Sequence, residues 1–147
     1  MTLQTENTGR FKVELRDESV ILIDLRGPEE FVFPLSDVKV VGESTNQNGP
    51  YTEDWFLCLC RESDWMEIPV ESIDFSLIME ALASLLGFEP KLSLGSSTDF
   101  KSRVLWPRSL ENTPLFEYQS NWYKLNVCQT YSSFVQDFLS SHSSNVK

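Results

Sequence analysis

The sequence predicts an α+β fold, in which a bent, mostly antiparallel sheet is covered by one amphipathic helix and followed by a C-terminal extension of strands and a short helix. Three observations predict it. Apolar runs with strand-like alternation fill residues 11–70, apolar residues then recur at helical spacing over 75–86, and turn-forming residues separate the runs. At 147 residues the chain is long enough for one domain with a real core.

Within this single domain we expect three parts. Residues 1–10 are polar and lack periodicity, which predicts a loose start, whereas 11–87 form the β-rich part with its helix and 88–147 form the extension. The predicted strands of the β-rich part are residues 11–16, 20–23, 31–33, 38–41, 55–60 and 65–70. Pro34 cannot donate a ladder hydrogen bond and marks a strand end or an edge strand. The polar stretch 43–51 is expected to be an exposed loop.

The covering helix is predicted over residues 75–86. Asp74 is placed to cap its first turn, and Gly87 stands where a left-handed C-cap is expected. In the extension, 115–118 and 123–127 are predicted to pair as strands, while the type of 99–106 stays open. A short terminal helix is indicated by Phe134, Val135, Phe138 and Leu139. The predicted core comprises Val13, Ile21, Ile23, Phe33, Val38, Leu57, Leu59, Ile68, Ile78, Leu82 and Leu85.

The charge of the chain disfavours two classes of function. The chain has 12 basic and 22 acidic residues, a formal net charge of −10 and a pI near 4.5. Nucleic-acid binding and anionic membrane surfaces are disfavoured, because both need clustered Lys and Arg. The acidic residues concentrate in 1–90, which carry 18 acidic and 6 basic side chains.

The cysteines indicate a reducing compartment. Cys58 and Cys60 lie in a predicted strand among apolar residues and are expected to be buried free thiols. The chain opens without a basic and apolar leader, and no apolar run reaches the ~18–20 residues that span a bilayer, so we expect a cytoplasmic protein. A zinc site needs about four ligands, and only Cys128 and His142 would complete a Cys/His set, so no metal is expected.

No catalytic or cofactor-binding constellation emerges. The only histidine, His142, lies in a serine-rich tail, which is a poor place for the rigid base that a Cys128 nucleophile would need. The six glycines are scattered singly, at what we take to be turns or caps, so no phosphate-binding loop is present. We therefore expect neither an enzyme nor a bound cofactor.

One cluster stands out as a candidate interaction site. Lys101, Arg103, Trp106 and Arg108 form the densest basic group in the chain and are expected to present cations beside an exposed indole. In the second interpretation, these cations pair with the protein's own excess carboxylates. Trp55 and Trp65 are expected in the core, whereas Trp106 and Trp122 suit a core or an interface equally.

The apolar runs at 20–23 and 31–38, the hairpin at 55–70 and the helix at 75–86 resemble those of bacterial pleckstrin-homology-like modules. That resemblance covers residues 11–87 and implies a PH-like sheet. It does not imply phosphoinositide binding, because the first hairpin turn, 16–19, is acidic rather than rich in Lys and Arg. In composition the chain is similar to bacterial toxin-immunity proteins.

These observations together favour a non-catalytic protein-interaction module with a basic partner. An immunity-type inhibitor is one concrete form of such a module. Two alternatives stay open, namely a small-molecule or lipid-binding domain and an enzyme whose site the sequence does not reveal.

Overall fold

The structure is a computed structural model that describes residues 10–27, 29–45, 55–87, 89–94, 101–121 and 126–143, with backbone alone at 119–121, 126–129 and 142–143. The strands are β1 Phe11–Arg16, β2 Ser19–Asp24, β3 Glu30–Pro34, β4 Val40–Thr45, β5 Trp55–Cys60, β6 Trp65–Pro69, β7 Lys101–Trp106, β8 Phe116–Asn121 and β9 Asn126–Tyr131. The helices are α1 Phe75–Leu86 and α2 Ser133–Ser143. The α+β class is confirmed.

The described strands form three sheets, and every strand pair in them is antiparallel. Sheet A has the order β1-β2-β3, sheet B the order β6-β5-β4-β7, and sheet C is the pair β8-β9. The first hairpin turns through Asp17 and Glu18, whose φ angles of 53° and 65° are those of a tight two-residue turn. None of the described helices is long and apolar enough to cross a membrane.

Sheet B is buried on both faces. Leu57 and Leu59 of β5 belong to a first core with residues of sheet A and α1, whereas Cys58 and Cys60 belong to a second core with residues of sheet C and α2. Successive residues of a strand point to opposite faces. A strand covered on both faces therefore needs a continuous apolar run, which is what Trp55–Cys60 provides.

Helix α1 has the bounds that the sequence predicts. Ile78 and Leu82 are fully buried, and Gly87 adopts the left-handed conformation of a C-cap with φ 79°. Asp74 is the N-cap residue but makes no side-chain capping hydrogen bond, so its predicted role is wrong. Leu85, expected in the core, is 49% exposed. The helix turns this residue away from the sheets, and Leu86 packs against the first core in its place.

A second helix also packs on the sheets, through Val135 and Leu139 of α2, so the expectation of a single covering helix is not confirmed. The terminal helix itself and the strand pair before it are confirmed. The pair lies at β8 and β9, a few residues beyond the predicted bounds, and residues 122–125 between them lie outside the described residues. The segment 99–106, whose secondary structure the sequence leaves open, contains strand β7.

The predicted core is confirmed at Ile21, which is 3% exposed, but not at Ile23, and the structure shows which residues of β2 face the first core. Val20 and Leu22 point into the first core, whereas Ile21 lies on the outer face of sheet A and Ile23 beside it is only half-buried. All four residues of the run are apolar, so the alternation does not reveal which face is inside, and a shift of one residue exchanges the faces. Val38 is half-buried against the core.

Strand β4 contradicts the predicted loop. Glu43, Ser44 and Thr45 continue the strand and are 0%, 4% and 3% exposed. Their polar groups are satisfied inside the protein, so the usual association of polar residues with surface loops fails here. Gly42 lies within the same strand, and not at a turn or cap as expected.

Candidate functional site

A groove of about 870 Å³ lies between β3 on one side and the β5–β6 hairpin on the other. Its volume lies in the ~300–1,000 Å³ range of ligand pockets. We call it the aromatic groove because five aromatic residues line it, together with four charged residues. The aromatic residues are Phe11, Phe31, Phe33, Phe56 and Trp65, and the charged residues are Arg10, Glu30, Arg61 and Glu67.

Strand β3 is an edge strand and forms one side of this groove. Phe33 is 2% exposed, whereas Phe31 and Val32 are 46% and 53% exposed. Edge strands of folded proteins are normally protected by charge or proline. Here Glu30 and Pro34 provide such protection at the two ends, and the middle of the edge is apolar. An apolar edge strand beside an aromatic groove is typical of a surface that binds another molecule.

The outer edges of the two larger sheets differ in how they are covered. On β1, the amide of Val13 donates to the carbonyl of Ile73 at 2.9 Å. On β7, the amide of Val104 donates to the carbonyl of Thr113, also at 2.9 Å. No described strand pairs with the outer edge of β3, or with that of β6 across the groove. The groove therefore opens onto backbone that the described part of the chain leaves available.

Two arginines are stacked on aromatic rings of the groove. The guanidinium carbon of Arg61 lies 4.7 Å from the centroid of Phe33, and that of Arg10 lies 4.9 Å from the centroid of Phe11. Cation–π contacts of this kind hold ring and guanidinium in fixed relative positions. Phe33 and Phe11 pack in the first core, so both cations are anchored to the protein's interior.

Carboxylates already neutralise both arginines. Arg61 Nη1 lies 3.0 Å from Asp37 Oδ2, and Arg61 Nε lies 2.6 Å from Asp64 Oδ1. Arg10 Nη2 lies 3.3 Å from Asp24 Oδ2. A backbone hydrogen bond from the Arg26 amide, reinforced by Arg10, lowers the pKa of Asp24. The groove therefore carries no free excess of positive charge for an anionic ligand.

The C-terminal part of the chain fixes the hairpin wall of the groove. The hydroxyl of Tyr131 lies 2.8 Å from the carbonyl oxygen of Arg61 and 2.6 Å from that of Asp64, to which it donates. Trp65 contacts the rings of Phe116 and Tyr131, with centroids 4.7 and 4.9 Å apart. Burial raises the pKa of Tyr131, so the hydroxyl stays a donor. Sheet C thus positions the turn that carries Arg61.

The four residues of the basic cluster predicted from the sequence have different surroundings in the structure. Lys101 and Arg108 are exposed, Trp106 is half-buried against the first core, and Arg103 forms an ion pair with the buried Glu43. Arg103 therefore follows the interpretation in which a cation pairs with the protein's own carboxylate. Binding through Lys101, Trp106 and Arg108 stays a prediction.

Glu43 is a buried charged residue that the sequence does not reveal as such. Its carboxylate accepts hydrogen bonds from Arg103 Nε at 2.8 Å, Trp55 Nε1 at 2.7 Å and the amide of Ser93 at 2.8 Å. The amide of Leu94 donates to it as well, at 3.0 Å. A carboxylate with this many donors serves the structure, because it ties β4, β5, β7 and residues 93–94 together. The only signal in the sequence is that Glu43 stands two residues after the apolar Val41, so that both side chains would lie on the same face of a strand.

The cysteine prediction is confirmed where the side chains are described. Cys58 and Cys60 are free and buried, and desolvation raises the pKa of both thiols. The side chains of Cys128 and His142, and all of Trp122, lie outside the described residues. In the ranges that the structure describes, no three His, Cys, Asp or Glu side chains are grouped as metal ligands.

Comparison with known proteins found no relative of this chain. The chain matches no protein-family model, no curated protein and no solved structure.

Proposed function

We propose that the protein is a non-catalytic interaction module that binds a basic protein partner in the aromatic groove. The observation that carries the proposal is the exposure of Phe31 and Val32, at 46% and 53%, on an open sheet edge that lines the groove. Aromatic residues in partly formed pockets are the anchors on which most binding energy of protein interfaces depends. Phe31 is the natural anchor here, since its ring stands beside the buried Phe33.

Charge supports a basic partner. Residues 10–70, which include both walls of the groove, carry thirteen acidic and six basic side chains. Because Arg10 and Arg61 are paired with carboxylates, the remaining field around the groove is negative. Such a field attracts cationic surfaces and repels anionic ones, mainly by changing the rate of association.

An immunity-type inhibitor of a basic toxin is one concrete form of this function. A PH-like arrangement of sheets A and B and a cytoplasmic location belong to the same proposal. The burial of Cys58 and Cys60 as free cysteines is consistent with a cytoplasmic location.

The proposal is tested with a phage-displayed library of random 12-residue peptides selected against the immobilised protein. Enriched peptides are synthesised with a fluorophore, and their dissociation constants are measured by anisotropy against the wild type, Phe31→Ala and Leu85→Ala. Leu85 is a matched control, because it is an equally exposed apolar residue, at 49%, but lies on α1. We expect basic peptides whose affinity falls at least about tenfold with Phe31→Ala and changes less than about twofold with Leu85→Ala.

Two results would contradict the proposal. One is enrichment of acidic or uncharged peptides, or of peptides that bind Phe31→Ala as well as the wild type. The other is a small apolar molecule retained by the purified protein in native mass spectrometry and not displaced by the selected peptides, which would establish the small-molecule or lipid alternative.

A further inference from the structure

We infer that the partner binds as an extended segment that adds a fourth strand to sheet A, along the outer edge of β3. The inference rests on the proposed function and specifies the conformation and the sequence class of the bound segment. In this binding mode, main-chain hydrogen bonds give affinity and alternate side chains give specificity.

The hydrogen-bonding phase of β3 decides which backbone groups face outward. Asp24 N donates to Glu29 O at 3.1 Å, and Leu35 N donates to Glu18 O at 3.0 Å. In an antiparallel pair, hydrogen-bonded and non-hydrogen-bonded positions alternate. Counting two residues at a time along the register from either of these hydrogen bonds shows that Phe31 and Phe33 occupy the positions whose backbone groups bond to β2.

The residues between them, Glu30 and Val32, consequently direct their amide and carbonyl groups away from β2 and toward the groove. This explains why Glu30 and Val32 line the groove although their side chains belong to the outer face of sheet A. An incoming strand can bond to these four groups without breaking any bond of the sheet.

Pro34 limits the length of the open edge. It occupies the next outward-facing position, where its carbonyl can accept a hydrogen bond but no amide proton is available to donate. The docking edge therefore runs from Glu30 to Pro34. At about 3.4 Å per residue, it accommodates a segment of about five residues.

The two faces of sheet A predict the side chains of the bound segment. On the inner face, its residues lie beside Phe31 and Phe33 and enter the aromatic groove, which favours apolar side chains. On the outer face, its residues lie beside Val32 and Glu30. The carboxylate of Glu30 is 43% exposed in its contact with Arg16, so it can accept a cation as well. The structure thus favours a segment in which apolar residues alternate with basic ones.

Charge argues against a second copy of this chain as the occupant. Two antiparallel β3 edges would pair about Val32 and set Glu30 of each copy opposite Pro34 of the other. Each of these two pairs would lack one hydrogen bond, because Pro34 has no amide proton to donate. Each copy also carries a net charge of −10. Like charges at an interface oppose association, whereas a basic segment gains from the same field.

The test uses a fluorescent synthetic heptapeptide that alternates lysine with valine and phenylalanine, titrated against the full chain. Val32→Pro removes the outward-facing amide of β3 but no hydrogen bond of the sheet, as Pro34 does naturally. Val32→Ala is the matched control, because it shortens the side chain and keeps the amide. We expect affinity to fall at least about tenfold with Val32→Pro and less than about threefold with Val32→Ala, with circular dichroism spectra unchanged.

A second measurement changes the peptide, so it does not depend on how the variant folds. Peptides N-methylated at one alternate set of amides lose the bonds to β3, whereas those methylated at the other set keep them. We expect one set to abolish binding and the other to preserve it. Equal effects of the two sets would overturn strand addition.

These measurements distinguish failure of the strand-addition inference from failure of the proposed function. If Phe31→Ala weakens binding but Val32→Pro and both methylated sets do not, the groove binds its partner in another conformation and only this inference is wrong. If none of these changes matters, the proposed function is wrong too. A concentration-dependent dimer in size-exclusion chromatography that Val32→Pro abolishes would assign the edge to a second copy and would also overturn the inference.

Discussion

Glu43 on β4 and Arg103 on β7 form an ion pair across sheet B, with Glu43 Oε1 and Arg103 Nε 2.8 Å apart and the Glu43 side chain 0% exposed. The remaining guanidinium nitrogens of Arg103 donate to Asn112 Oδ1 and to the carbonyl of Lys91. The pair therefore links β4 and β7 to the chain segments on either side of β7. This ion pair, whose carboxylate is fully buried, stabilises the fold and is not available to a ligand.

Replacing Glu43 by alanine should destabilise the protein by about 3–5 kcal/mol, because a buried charge that loses its partner keeps its desolvation cost. Glu62 is exposed in the β5–β6 turn and offers a matched control, since Glu62→Ala should stay within about 0.5 kcal/mol. Urea unfolding followed by tryptophan fluorescence measures both. Equal effects of the two substitutions would show that the pair contributes nothing.

Gly42→Ala should also destabilise the protein, by about 1–3 kcal/mol. A Cβ at this position would lie 2.6 Å from Leu115 Cδ2 and 2.7 Å from the carbonyl oxygen of Arg103, and the backbone atom cannot move aside cheaply. Gly27 is the control, because a Cβ there meets nothing within 4 Å. If thermal melts show Gly27→Ala and Gly42→Ala to be equally stable, the close approach of β4 to Leu115 is not real.

Two leucines of α1 should differ sharply in their contribution. Leu82 is fully buried in the first core, so Leu82→Ala should cost about 2–5 kcal/mol. Leu85, three residues further along, is 49% exposed, and Leu85→Ala should change the free energy of unfolding by less than about 0.5 kcal/mol. Chemical denaturation of the two variants checks this directly. A larger loss at Leu85 would mean that α1 is rotated about its axis.

The buried thiols predict a loss of stability at alkaline pH. Burial raises the pKa of Cys58 and Cys60 above the ordinary value of 9.0, so the unfolded chain ionises them first. Their contribution is fully present below about pH 8.5 and declines as the pH rises further. The urea midpoint should fall from pH 8 to pH 10.5, and the fall should be smaller in a Cys58→Ala, Cys60→Ala double variant.

Reactivity gives an independent check on the same thiols. Iodoacetamide at pH 8.5, followed by peptide mapping, should leave Cys58 and Cys60 unmodified in the native protein and modify both in urea, because only thiolates react. Modification of either thiol under native conditions would contradict their burial.

Local signals in the sequence determined most of the secondary structure. Residues 75–86 carry a helical apolar period and a glycine after it, and the β5–β6 hairpin carries two apolar runs around a polar turn. Such signals depend on near neighbours along the chain, which is why the bounds of α1 and the end of β3 at Pro34 could be predicted. The net charge of −10, which underlies the proposal of a basic partner, is likewise a property of the sequence alone.

Only the tertiary structure decided which face of each strand is inside and which polar residues are buried. The run at 20–23 is apolar on both faces, so its register depends on the partners that cover it. Glu43 is a typical surface residue until Arg103, sixty positions away, and the amides of residues 93–94 meet it. The aromatic groove likewise exists because folding sets β3 beside the β5–β6 hairpin without pairing their edges. Contacts between distant parts of the chain depend on the packing of whole elements, and no local pattern encodes them.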